Sequence, residues 1–276
     1  MTAPLLALAS ALNCPGPLAY SEVEVEVVTA GTVQTVWERI EHAGRTGAVR
    51  LPLLVGALTH PRGTILVDAG LGQQTRDGHY PRFPLSTSNI EVPAGHTVFE
   101  RYGAPLKVLL THLHYDHVGG LLDLPNAEVW TTLAEWTSTR ARNVAFPESA
   151  MRDAVDWHVV DLQEGRAQQV LDRPAIDVMG DGTIWYLSTP GHTPGSASVL
   201  VLTRTQPWLF IGDIAWVDSH LENLRRPGWV SLVVDGEPRA LTKSLKWARE
   251  LKQKCPSLQI VAGHEPRWQL TEGLPK

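Results

Sequence analysis

The sequence predicts an α/β domain of many short strands with at least one amphipathic helix, and three observations carry that prediction. Short apolar runs with the length and bounding turns of buried strands recur along the 276-residue chain. Four of them, Val108-Leu109-Leu110, Thr183 to Leu187, Trp208 to Ile211 and Leu258 to Val261, each lead into a histidine or an aspartate. Pro238 to Leu251 shows the other periodicity, with Leu241, Leu245, Ala248 and Leu251 on one helical face and Lys243 and Lys246 toward water.

In chain order, Glu22 to Val28 alternates glutamate with valine and reads as a half-buried strand with one wet face. Gly31 to Ile40 and Ala48 to Leu58 read as further strands separated by the turn Gly44-Arg45-Thr46-Gly47, and Thr64 to Val67 continues the pattern up to Asp68-Ala69-Gly70. Leu71 to His96 is polar and punctuated by Pro and Gly, a loop containing Tyr80, Arg82 and Phe83 that either walls a site or is a surface excursion. His79 and His96 within it are expected in solvent. Gly119 to Leu124 suits a short helical turn and Ala127 to Thr131 a strand, while Leu133 to Arg142 and Glu148 to Val155 have helical composition. From Trp136 to Arg173 the pattern is least interpretable. Thr183 to Leu187 and Ala197 to Leu202 then flank a Pro- and Gly-rich turn that carries His192.

The densest chemistry lies at Thr111-His112-Leu113-His114-Tyr115-Asp116-His117, where three imidazoles and a carboxylate fall within six residues. Residues two apart in an extended segment point to one side, so His112 and His114 can aim at one ion. A turn beginning at Asp116 can swing Asp116 and His117 toward a second. Neutral imidazole and carboxylate suit zinc and its neighbours. A polar loop would leave these side chains competing for solvation with no compensating bond.

Composition narrows the function. The 43% hydrophobic content is enough for a sizeable core, and a net charge of -5 with no Lys/Arg-rich insertion argues against a polyanion partner. Cys14 and Cys255 have no zinc-type spacing and are expected as free thiols in a reducing, cytoplasmic setting, although their pairing is the alternative. The apolar run Leu5 to Ala9 has no Lys or Arg before it and is shorter than a membrane span, so residues 1–20 are expected to be an exposed or docking segment before one domain over 21–276, with a signal peptide as the alternative.

Read together, His-x-His-x-Asp-His, Pro-Gly-His-Thr-Pro-Gly around His192, Gly-Asp at Asp213, Gly-His at His264 and Leu66-Val67-Asp68-Ala69-Gly70 upstream resemble the metallo-β-lactamase superfamily from about Val23 to Glu265. The resemblance implies a four-layer αβ/βα sandwich with two divalent metal ions in the cleft between the sheets, zinc first and iron or manganese as alternatives. It implies that His112, His114 and His192 bind one ion, that Asp116, His117 and His264 bind the other, and that Asp213 bridges them. A hydroxide shared between the ions would attack the substrate, with Asp116 also shuttling the proton to the leaving group. Asp68 is expected to orient a ligand or to be a turn aspartate. Thr111, Thr193 and Ser196 are expected to orient ligand histidines or to serve the turns.

Among the family's hydrolases the layout resembles the compact N-acyl homoserine lactonases, which implies an ester or lactone as the small-molecule substrate, with neither nucleic acid nor membrane as partner and a homodimer left open. Those enzymes carry a tyrosine three residues after the bridging aspartate, where this chain has Trp216. Glyoxalase II would imply a thioesterase, but its appended helical domain has no counterpart in the eleven residues after Glu265. The phosphodiesterases of the family use a basic exosite. Persulfide dioxygenases hold one iron with two histidines and an aspartate, and would tolerate loss of the second ligand group. His220, Arg225, Arg226 and Trp229 follow Asp213 and could form a pocket wall or a solvated loop, with His220 read as a surface side chain before a substrate contact.

Overall fold

The computed structural model describes residues 13–41, 44–78, 90–142, 155–163, 167–224 and 236–268. The first part of the chain forms β1 (Glu24–Val36), α1 (Trp37–Ile40), β2 (Ala48–His60), β3 (Gly63–Val67), α2 (Gln73–Arg76), β4 (Ile90–Glu91), α3 (Val98–Tyr102), β5 (Lys107–Leu109), α4 (Tyr115–Val118), β6 (Glu128–Thr132), α5 (Leu133–Arg142) and β7 (Asp156–Val160). The second part forms β8 (Gln168–Val170), β9 (Arg173–Asp177), β10 (Ile184–Ser188), β11 (Ala197–Leu202), β12 (Pro207–Gly212), α6 (Asp218–Asn223), α7 (Pro238–Lys254) and β13 (Gln259–Ala262). Among the described residues the first set of strands makes one sheet in the order β4-β1-β2-β3-β5-β6-β7, and the second makes another in the order β13-β12-β11-β10-β9-β8.

The period-two alternation of the strands builds the layers. Leu53, Val55 and Ala57 of β2 and Leu66 of β3 point outward, to a core shared with Val98 of α3 and Val118 of α4. Their alternates Leu54, Leu58, Ile65 and Val67 point inward and meet Tyr186, Val199, Val201 and Phe210 of the second sheet. Leu200, Leu209 and Ile211 face the far side, where they pack under Leu245, Ala248 and Leu251 of α7. Helix, sheet, sheet, helix is therefore the layer order, as the family resemblance implies. The glycine at position 56 falls on the inward face of β2, and a Cβ there would sit 2.7 Å from the Phe210 ring, so the missing side chain seats an aromatic from the opposite sheet.

Several sequence expectations change in the structure. The strands expected at Glu22 to Val28 and Gly31 to Ile40 are one strand, β1, ending in the short helix α1. Its register against β2 slips between Thr29 and Thr32, where Gly31 has φ +120°, so the glycine bulges the strand instead of ending it. The long loop contains α2 and β4, while His79, Tyr80, Arg82 and Phe83 lie outside the described residues. So do most of the helix expected at Glu148 to Val155 and all of Arg225, Arg226 and Trp229. His96 is half-buried and contacts Arg101. Helix α3 carries an unassigned capping box, Thr97 accepting from the Glu100 backbone and Glu100 from that of Thr97. The least interpretable stretch holds β7 and β8, sheet edges with few buried positions, which is why no apolar pattern announces them.

Cys14 and Cys255 form a disulfide, which corrects the expectation of free thiols. Cys255 caps the C-terminal end of α7, and the sequence separation of 241 between the two cysteines conceals that the N-terminal strap returns there. With no free thiol among the described residues, the cysteines no longer argue for a reducing compartment, since disulfides persist in oxidising ones. No helix among the described residues is long and apolar enough to cross a membrane.

His220 on α6 is fully buried, not a surface side chain. Its Nδ1 accepts from the Trp216 backbone at 3.2 Å, which leaves Nε2 to donate to the Ile40 carbonyl of α1 at 3.1 Å. It thus ties the segment after β12 to the end of α1, beside the small core of Ile40, Leu51, Trp216 and Val217. Burial pushes its pKa down to about 4, an effect only partly offset by the Ile40 carbonyl and Glu41.

Two predictions follow from these contacts. Gly56→Ala should lower the urea midpoint of unfolding, the overpacking against Phe210 costing about 1–3 kcal/mol. For His220, the unfolded chain binds a proton near pH 6.5 that the folded chain refuses until about pH 4, so its contribution to stability is full above pH 6.5 and is lost as pH falls toward 4. His220→Gln keeps a donor and an acceptor without titrating. The stability difference between wild type and this variant should therefore shrink across that window in denaturant titrations.

Candidate metal centre

The centre forms where strand ends from the two sheets meet. In the first sheet β3 and β5 run parallel, so Asp68 just past β3 lies beside Thr111 just past β5. Asp68 Oδ1 accepts from the Thr111 backbone at 2.7 Å, and Oδ2 accepts from the Thr111 hydroxyl at 2.9 Å and pairs with His117 Nδ1 at 2.8 Å. That bond fixes the His117 tautomer and turns its Nε2 toward the centre. Asp68 has φ +63°, a strained conformation that these three bonds hold in place. Of its two expected roles, the structure shows the orienting one.

The remaining donors arrive separately. His112 and His114 stand on the extended segment after β5, and Asp116 and His117 in the first turn of α4. His192 comes from the turn between β10 and β11, Asp213 from the end of β12 and His264 from the end of β13. His264 Nδ1 donates to the Pro52 carbonyl of β2 at 3.0 Å, which points its Nε2 inward. Thr193 and Ser196 bond each other's hydroxyls and shape the His192 turn.

All seven ligand-type residues named from the sequence converge. His112, His114 and His192 place their donor atoms within 4.8 Å of one another, as do Asp116, His117 and His264, and as do His112, His117 and Asp213. Asp213 stands between the two groups. Its Oδ2 lies 3.4 Å from His192 Nε2 and 3.9 Å from His112 Nε2, while Oδ1 lies 3.4 Å from His117 Nε2 and 3.3 Å from His264 Nε2. Asp116 Oδ2 is 3.6 Å from His264 Nε2 and 3.9 Å from His117 Nε2.

The electrostatics are those of a cation site. Burial, and then the imidazoles of His117, His114 and His192, push His112 well below the usual histidine range. Burial and His192 bring His114 to about 3. Burial also opposes charge on His117, but Asp68 and Asp213 outweigh it and hold the pKa well above the ordinary value. His264 is likewise raised by Asp213 against its burial. Asp213 would be raised by burial, yet His264 and His117 hold it well below the carboxylate range. Within this crowd His112 Nε2, His117 Nε2 and Asp213 Oδ1 are buried with no hydrogen-bond partner. Buried acceptors left unpaired cost free energy, and divalent cations are what this donor set of nitrogen and oxygen fits.

Two features escaped sequence reasoning. Glu135, in the first turn of α5, is a buried carboxylate bonded to both the His112–His114 segment and the His192 turn. Tyr186 donates its hydroxyl to the Leu110 carbonyl, bracing the end of β5 from the second sheet. Neither lies in a motif, and both act through backbone groups distant in sequence. Trp216, three residues past Asp213, has its ring centroid 6.3 Å from that of His264 and its carbonyl 2.8 Å from the His264 backbone nitrogen. Its indole Nε1 is buried without a partner.

Comparison with known proteins agrees with this geometry. The chain is 25% identical over 270 residues to the N-acyl homoserine lactonase AttM of Azorhizobium caulinodans, covering 89% of this chain and 94% of that relative. Its fold matches an N-acyl homoserine lactone hydrolase solved with the product N-hexanoyl-L-homoserine at the catalytic metal centre, with TM-score 0.70, 19% identity and coverage of 88% and 93%. It also matches AidC, a dizinc quorum-quenching lactonase, with TM-score 0.59, 16% identity and coverage of 92% and 90%. A family model described as the metallo-beta-lactamase superfamily matches residues 103–264, which reach from just before β5 to the last histidine of the cluster. The chain belongs to the metallo-beta-lactamase superfamily.

Proposed function

We propose that this protein is a dinuclear metal-dependent hydrolase that opens a lactone or ester of modest size. The observation that carries the reading is Asp213, one carboxylate whose two oxygens face two separate groups of imidazoles. His112, His114 and His192 would hold one ion, Asp116, His117 and His264 the other, and Asp213 both. Two divalent ions so held, with zinc among those suited to nitrogen and oxygen donors, would supply an acidified water and a polarised carbonyl.

The chain's own residues would do the rest. Asp68 and the Pro52 carbonyl keep His117 and His264 in the tautomer that presents Nε2 to the centre. The Asp116 side chain is 29% exposed while that of Asp213 is 5% exposed, which supports Asp116 as the carboxylate that would accept a proton from water and pass it to the leaving alkoxide. Trp216 sets an aromatic ring beside His264, with its indole N–H sealed from solvent and so from substrate. A lactone is the first choice of substrate because the similarity to AttM, named an N-acyl homoserine lactonase, runs over 94% of that relative.

The test is zinc, iron and manganese content per chain on protein purified without added metal, beside turnover on lactones, aryl esters, thioesters and phosphodiesters. Near two divalent ions with lactone or ester turnover is the expected outcome, and Asp213→Ala should bring both metal content and turnover to background. One iron per chain with oxygen uptake on a persulfide, and no ester turnover, would overturn the reading. Trp216→Phe keeps the ring beside His264 and removes a buried N–H that no protein group accepts. Its kcat/KM should stay within about twofold of wild type, since no hydrogen bond is lost, with metal content unchanged.

A further inference from the structure

We infer that Glu135 is a positioning residue for one half of the centre: a single carboxylate that locks together the two loops carrying His112, His114 and His192. The inference rests on the metal-binding reading of that triad. The three histidines come from two loops that belong to different sheets, the segment after β5 and the turn between β10 and β11. Within each loop, a backbone N–H close to the ligands is taken by the same side chain. Leu113, between His112 and His114, donates to Glu135 Oε1 at 2.9 Å, and Gly195, three residues past His192, donates to Oε2 at 3.0 Å. The Thr193 side chain adds a further bond.

Glu135 is 1% exposed, and its own place is fixed from both sides. The Thr132 hydroxyl donates to the Gly195 carbonyl at 2.7 Å and accepts from the Glu135 backbone at 3.1 Å. A Cβ on Gly195 would lie 1.9 Å from the Glu135 backbone nitrogen, so the turn can approach α5 this closely only because it has no side chain there. A carboxylate is the group that can accept with both oxygens at once, and its charge strengthens each bond. An amide in its place would turn an NH2 toward one of the two N–H groups and leave that donor buried and unpaired. The second triad is held by other groups, His117 by Asp68 and His264 by the Pro52 carbonyl. Glu135 therefore governs one triad and not the other.

The experiment reads zinc affinity by competition with a chromophoric chelator, site by site. His264→Ala leaves only the first triad intact and His192→Ala only the second, and Glu135→Gln is added to each. In the His264→Ala background Glu135→Gln should weaken zinc binding about 10- to 100-fold, the usual cost of losing a group that orients ligands. In the His192→Ala background it should leave zinc affinity unchanged. Equal weakening in both backgrounds, or none in the first, overturns the inference and returns Glu135 to a merely structural role. Should Glu135→Gln fail to fold, Glu135→Asp, which keeps the charge but not the span between loops, is read the same way. Wild-type protein is titrated first: failure to bind two zinc ions there would sink the metal reading itself, a result distinct from any contrast between the variants.

Discussion

One buried carboxylate, Asp213, faces imidazoles on both of its oxygens, and most of the surrounding structure is arranged so that it can. Without cations this arrangement is costly. Five histidines and two carboxylates crowd a volume from which water is largely excluded, and several of the donor atoms lack any partner. Burial pushes some imidazoles toward neutrality while the carboxylates pull others toward charge, so no single protonation state satisfies every group. Such frustration, concentrated at one point of an otherwise well-paired core, marks a site built for ligands rather than for stability.

The layers explain how the point is reached. Each sheet alternates an inward and an outward face, and the two inward faces close on one another through Phe210, Tyr186 and their neighbours. Donors delivered at strand ends therefore inherit the rigidity of both sheets. His264 shows the dependence most directly, since it is held by the Pro52 carbonyl of the first sheet although it belongs to the second. A shift of one sheet over the other would pull ligands apart before it disrupted either sheet.

The ligand set was legible because its chemistry is local and dense: three histidines and an aspartate within six residues, and the others each behind an apolar run and a glycine. The layer order was legible only through the family resemblance those motifs carry, since the strand patterns by themselves do not say how the sheets stack. What was not legible acts across long separations or through backbone atoms. Glu135 is an ordinary glutamate in the first turn of a helix until the fold brings two backbone N–H groups to it. His220 reads as a loop histidine because its acceptor, the Ile40 carbonyl, lies 180 residues away. The edge strands β7 and β8 have little to bury and so leave no pattern. The disulfide joins two cysteines whose spacing carries no information about contact.

That disulfide has a consequence in connectivity. Because it joins Cys14 to Cys255, it closes most of the chain into a covalent ring, and six of the seven clustered residues lie inside it. His264 lies outside, on a free arm that reaches the centre through the parallel pairing of β13 with β12 and the bond to Pro52. The triad of His112, His114 and His192 thus sits wholly within the ring. The other triad is completed from outside it, by noncovalent contacts alone, and its integrity is coupled to how firmly a four-residue strand stays docked at the edge of the second sheet.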